Sequence, residues 1–389
     1  MTRRIGDQNT QNSVESLFEK LDQLNNSPLQ AIIAELRQGL DFAHQARIAG
    51  GCSQAHFEAV RSQTQFILQL LPLENSVRFA FDAQMIHAVK EHWNGEKQKL
   101  SHSILPVTRD EWAHQRTILP VGAYQGSAKT INVIHFPSNG AIESINLLEY
   151  PFLHHELAHN LYLFDDSFFK IQFGESLAAL ITKLRLQAIS DHGKAKNLSE
   201  QIRHEISAYW QPTDNHQNWA HEIAMDVTAL YTCGPAYLAT FHDQIENSHI
   251  NPYHLTQNHP PYAVRVEALI FGCRQLGLER ETKILNKVLR QWQTPKYQHK
   301  KDNHYIALTN SEIVADCVKA VLATCQFKDL PKCDRQAIEQ TRYKLQRGET
   351  PEWGTELIIA AWLKYETDQT NYESWQKFVV QDLLDSLIP

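Results

Sequence analysis

A chain of 389 residues with 42% hydrophobic and 21% charged side chains has the balance of an ordinary folded protein with a sizeable core, enough for one large domain or two to three average ones. With 37 basic and 44 acidic residues the formal charge is −7, which excludes the overall basic character that draws nucleic acid or an anionic membrane. No run approaches the roughly 18–20 apolar residues of a membrane span, and the start Met1-Thr2-Arg3-Arg4 turns polar without a signal core, so a cytoplasmic location is expected.

The first hundred residues read as helical. Ser13 opens a run whose apolar positions Val14, Leu17, Phe18, Leu21 and Leu24 recur at helical spacing. Pro28 to Ala49 carries Leu29, Ile32, Ile33, Leu36, Leu40 and Phe42 and stops at Gly50-Gly51. Further helices are predicted from Ser53 to about Pro72 and from Val77 to Trp93. Residues 101–150 change character. β-formers and prolines gather in Ile104–Thr108 and Thr117–Gly122, and the β-branched run Thr130–Phe136, ended by Pro137, predicts a strand. Such a strand, at the edge of a sheet above a catalytic helix, lets an extended substrate add to it; a plain structural hairpin is the equal alternative.

Next comes the segment with chemistry. Pro151 suits a first helical position, and Leu153, Leu157 and Leu161 form a stripe at i, i+4, i+8. Inside it lies His155-Glu156-Leu157-Ala158-His159, an H-E-x-x-H run. Residues four apart share a helix face, so the two imidazoles can grip one metal ion while Glu156 takes a proton from an activated water. Helices are expected at Ser176–Ser190, Leu198–Trp210 and Trp219–Leu230, and the chain stays helical from Pro261 onward. The six cysteines are scattered without a C-x-x-C pair and read as reduced thiols.

A zinc site of this kind needs a third protein ligand. Asp165 stands at the metzincin spacing, six residues after His159, but position 162 holds Tyr162 where that pattern needs a glycine to turn the chain. Glu222 is the stronger candidate. It lies on a separate, largely apolar helix with Asp226 four residues on, so one carboxylate can bind the metal while the other receives a hydrogen bond from a ligand histidine. Two solvated acids on an amphipathic helix are the bland alternative. Glu175 is treated as structural, and His154 with the His204-Glu205 pair as surface groups.

H-E-x-x-H on one helix followed by E-x-x-x-D on a later one resembles the gluzincin zinc metallopeptidases. The later His259-Pro260-Pro261-Tyr262-Ala263-Val264-Arg265 is similar to the His-Pro segment, with a nearby arginine, of the HtpX-like and minigluzincin branch. The resemblance spans about residues 130–270. It implies Zn2+ on His155, His159 and Glu222, Glu156 as general base, Asp226 orienting a ligand histidine, and His259 or Arg265 at the oxyanion; Tyr237, Tyr253 and Tyr262 are further candidates. The expected fold is mainly α with a small β-sheet, an α+β class. It would have a helical N-terminal region at 1–100, a zincin-like core at 101–275 and a helical C-terminal region at 276–389. The expected function is a zinc-dependent peptidase, an endopeptidase, acting on a protein or peptide substrate. The helical flanks are expected to offer a surface to a regulatory protein partner, with no nucleic acid or membrane involved. The alternative is a catalytically inactive zinc-binding regulatory or interaction protein.

Overall fold

The computed structural model describes the backbone at residues 30–51, 53–70, 77–93, 103–109, 113–119, 129–137, 145–164, 167–192, 196–211, 218–248, 251–294, 305 and 308–387. The helix expected from Ser13 and the alternative ligand Asp165 lie outside these residues. The chain folds as two compact units, Met1–His87 with Ser101–Ile145, and Ala88–Leu100 with Asn146–Pro389.

In the first unit α1 (Gln30–Ile48) packs on α2 (Gln54–Leu70), burying Leu36, Leu40, Phe57 and Val60. A third helix, α3 (Val77–Trp93), runs on into the second unit. Arg78 donates from Nε to both oxygens of Asp82 at 3.0 Å one turn along α3, and both side chains are buried. Strands β1 (Ser103–Arg109), β2 (Ala113–Leu119) and β3 (Lys129–Pro137) form a sheet in the order β1-β3-β2. β3 is parallel to β1 and antiparallel to β2, with Ile134 paired to Pro106 and His114. Both of its hydrogen-bonding sides are occupied. The edge strand expected at Thr130–Phe136 is therefore a central strand, with no free backbone for a substrate to join.

The second unit carries the H-E-x-x-H segment and holds no strand among its described residues. The α+β class with a zincin-like core is corrected accordingly: the class is all-α, 79% helical where the chain is described in full. The β-rich composition of residues 101–145 builds a sheet that belongs with the N-terminal helices and not with the metal helix.

At the centre of this unit is α7 (Trp219–Cys233), buried along its whole length. A helix wrapped on every side has no solvent face and is largely apolar all round, which leaves Glu222 and Asp226 as its acidic exceptions. Asn218 caps it, its side chain accepting from His221 N, and Gly234 ends it at φ 58°. A Cβ on Gly234 would stand 2.7 Å from Cys333 Sγ, so both the backbone and the packing require glycine there. Around α7 pack α4 (Pro151–Phe164), α6 (Lys196–Trp210), α8 (Pro235–Ser248), α9 (Tyr262–Leu276), α11 (Ser311–Phe327) and α13 (Thr355–Thr367). The intervening α5 (Ser167–His192) begins at Ser167 rather than Ser176, because Phe169, Phe173, Leu177 and Leu180 carry one buried stripe through the earlier turns. α10 (Lys283–Trp292), α12 (Arg335–Gln346) and α14 (Tyr372–Asp385) complete the unit. Among the described residues no helix is long and apolar enough to cross a membrane.

Candidate metal centre

Helix α4 starts at Pro151, after a 3-10 turn at Leu147–Glu149 that Asn146 caps. Its first eight residues are buried, so His155 enters the interior, while His159, the ninth, is half-buried. α4 packs directly on α7. That pairing brings His155, His159 and Glu222 together, their ligand atoms all within 4.8 Å of one another. His155 Nε2 is 3.7 Å from Glu222 Oε2, and His159 Nε2 is 3.9 Å from Glu222 Oε1.

These separations are too long for hydrogen bonds. Zinc bonds of about 2.0–2.2 Å at tetrahedral angles set neighbouring donors roughly 3.3–3.6 Å apart, so an ion fits between the three with small adjustments. Among the described residues the Glu222 carboxylate makes no hydrogen bond, although only 7% of the residue is exposed. A buried carboxylate without donors is costly unless a cation neutralises it. The donor set therefore fits a divalent metal.

Asp226 is the opposite case. Arg265 donates to it twice at 2.7 Å, from Nε to Oδ2 and from Nη2 to Oδ1. The Tyr237 hydroxyl donates to Oδ1 at 2.5 Å, and His155 Nδ1 stands 2.9 Å from the same oxygen. Burial disfavours the charge of Asp226, but Arg265 and His155 outweigh it and hold the carboxyl well below its usual range. Burial also pulls His155 down, yet the hydrogen bond and charge of Asp226, with Glu156 and Glu222, leave it raised overall. Glu156 is buried beside them, and burial pushes its carboxyl up to about 7, partly countered by His155. A bound cation would draw that value down.

Of the residues expected at an oxyanion, Arg265 is 8% exposed, donates from Nε and Nη2 to Asp226 and lies over the Phe241 ring at 4.7 Å. It is part of the scaffold of the site. His259 lies in the loop before α9 with a side chain 63% exposed, its Nε2 3.9 Å from Glu222 Oε1. Tyr253 donates to the Trp292 carbonyl at 3.0 Å, and Tyr262 sits beside the Arg265 guanidinium. Only Tyr237 joins the ligand network, and nothing in its sequence neighbourhood set it apart from the other two tyrosines.

His154 is not a surface group: it is fully buried, its Nδ1 2.7 Å from Thr232 Oγ1 and its ring edge-on to Trp93. His204 is exposed, and so is Glu175. Cys233, Cys273, Cys317, Cys325 and Cys333 are buried thiols. No family model matches the sequence, and neither a curated protein nor a solved structure matches it.

Proposed function

We propose that the chain is a zinc-dependent peptidase of gluzincin type, working at His155, His159 and Glu222. The observation that carries this reading is the convergence of two histidines and a buried glutamate without a hydrogen bond among the described residues, from separate helices, with Glu156 in the same turn as His155. The resemblance of H-E-x-x-H…E-x-x-x-D to the gluzincin pattern supports a peptide-bond substrate over other hydrolysable groups. A zinc ion held there supplies Lewis acidity to a water molecule and to the carbonyl oxygen of the scissile bond.

The chain's own residues do the rest. Glu156, whose carboxyl exchanges its proton near neutrality when no cation is bound, accepts a proton from the attacking water and returns it to the leaving amine nitrogen. Asp226 keeps His155 in one orientation. His259, exposed beside Glu222, would donate a hydrogen bond to the carbonyl oxygen, while Arg265, buried against Phe241 and directing Nε and Nη2 to Asp226, would act by holding that carboxylate.

The test is zinc content by elemental analysis together with cleavage of an unfolded protein such as reduced casein, for wild type and Glu156→Gln. One zinc per chain in both proteins, with cleavage by wild type alone, is the expected result. Wild type without zinc ends the reading. Zinc without cleavage supports instead a metal-stabilised interaction protein.

A further inference from the structure

Four helices meet at Asp226, and the proton arithmetic there is determinate. Arg265 can only donate, and it donates to both carboxylate oxygens. The Tyr237 hydroxyl has one proton and directs it to Asp226 Oδ1 at 2.5 Å. His155 Nδ1 stands 2.9 Å from that carboxylate oxygen and 3.2 Å from the tyrosine oxygen. Both neighbours of Nδ1 thus present lone pairs. A lone pair on Nδ1 would face repulsion from each, so Nδ1 carries the hydrogen and Nε2 is left free toward Glu222 and His159.

We propose that Tyr237 is a positioning residue for the metal centre, acting through Asp226 to fix the tautomer and tilt of His155. This rests on the His155–His159–Glu222 site binding metal, not on peptidase activity. Three observations converge on it. Tyr237 is fully buried, and its ring lies nearly parallel to the His155 imidazole, at 13° and 6.4 Å between centroids. Its hydroxyl is the group that converts a two-residue contact, Asp226 with His155, into a closed triangle. It also starts from α8, so the triangle ties the metal helix α4 and the glutamate helix α7 to a third element. Arg265, from α9, holds the remaining oxygen and prevents the carboxylate from rotating away.

Loss of a residue that orients a metal-binding histidine typically weakens metal binding about 10–100-fold. The experiment compares wild type and Tyr237→Phe, which keeps the ring and removes the hydroxyl. Zinc affinity is measured by chelator competition, and the His155 tautomer by 15N NMR of the metal-free proteins under mildly alkaline conditions. Expected are a roughly tenfold or greater loss of zinc affinity and an Nε2–H population for His155 that wild type lacks, with circular dichroism unchanged. A role confined to packing would leave the tautomer alone. Arg265→Lys, which retains the charge but not the fork, serves as a second variant and should move both readouts in the same direction. Wild-type zinc affinity and a single Nδ1–H tautomer in both variants would overturn the proposal. Failure of wild type itself to bind zinc would strike the site assignment first, while the tautomer would still report on Tyr237.

Discussion

The two sides of helix α4 put neighbouring histidines to opposite uses. His155 and His154 are adjacent, both almost fully buried, and each has Nδ1 beside a hydroxyl whose proton is already given away: Tyr237 to Asp226, Thr232 to the Thr228 carbonyl at 2.9 Å. On the His155 side the environment is ionic, and its Nε2 faces the Glu222 carboxylate at 3.7 Å. On the His154 side it is apolar. There His154 Nε2 and the neighbouring Trp93 Nε1 are buried without a hydrogen-bond partner among the described residues. Burial, with a small contribution from His92, lowers His154 to about 3, whereas His155 is raised. The same residue type at successive positions becomes a candidate metal ligand or a neutral packing group according to the helix it meets.

The sharpest way to break this contrast is to strip the ionic side of its counter-charge. Arg265→Met leaves Asp226 as a buried carboxylate without its main partner, for which a loss of about 3–5 kcal/mol is expected in urea unfolding of the metal-free protein. A loss under about 1 kcal/mol would mean that Asp226 is not the buried ion pair described above.

The apolar side makes an acid-sensitivity prediction of intermediate size. His154 is depressed on folding, so the unfolded chain binds its proton first. Stability from this group is complete above pH ~6.5 and is lost as pH falls from there toward about 3, by up to about 1.4 kcal/mol per pH unit. Urea titrations of wild type and His154→Gln at neutral and mildly acid pH measure it, and the variant should have the shallower dependence. Equal slopes would show that His154 is not the group responsible.

The smallest effect is expected at Thr232→Val. It removes the acceptor for His154 Nδ1–H and should cost about 1–3 kcal/mol while leaving zinc affinity within about twofold. Thr232 is on α7, ten residues along the chain from Glu222 and on the His154 side of the packing, so a large fall in zinc affinity would mean the two sides of α4 communicate.

Local spacing was enough to mark the candidate ligands that the structure brings together. His155 and His159 share a face because a helix repeats every 3.6 residues, and Glu222 with Asp226 obeys the same rule on an otherwise apolar helix. The starts of α4 at Pro151 and of α7 at Trp219 were likewise readable from proline placement and periodicity. What local pattern could not supply was the partner of each face. The run Thr130–Phe136 looks like any strand, and whether it lies at an edge or in the middle depends on residues 103–119 pairing on both sides of it. His154 and Arg265 are polar by composition, and only the packing of α4, α7, α8 and α9 turns one into a buried neutral ring and the other into a clamp on Asp226.

The sequence by itself thus determined which side chains are able to hold a metal, because that depends on residue type and helical period. The tertiary structure alone decided that Glu222 approaches the two histidines, that Tyr237 rather than Tyr253 or Tyr262 joins them, and that the surrounding unit is all-helical. Those are relations between segments far apart in the chain, set by which buried faces fit together and which buried charges must find partners.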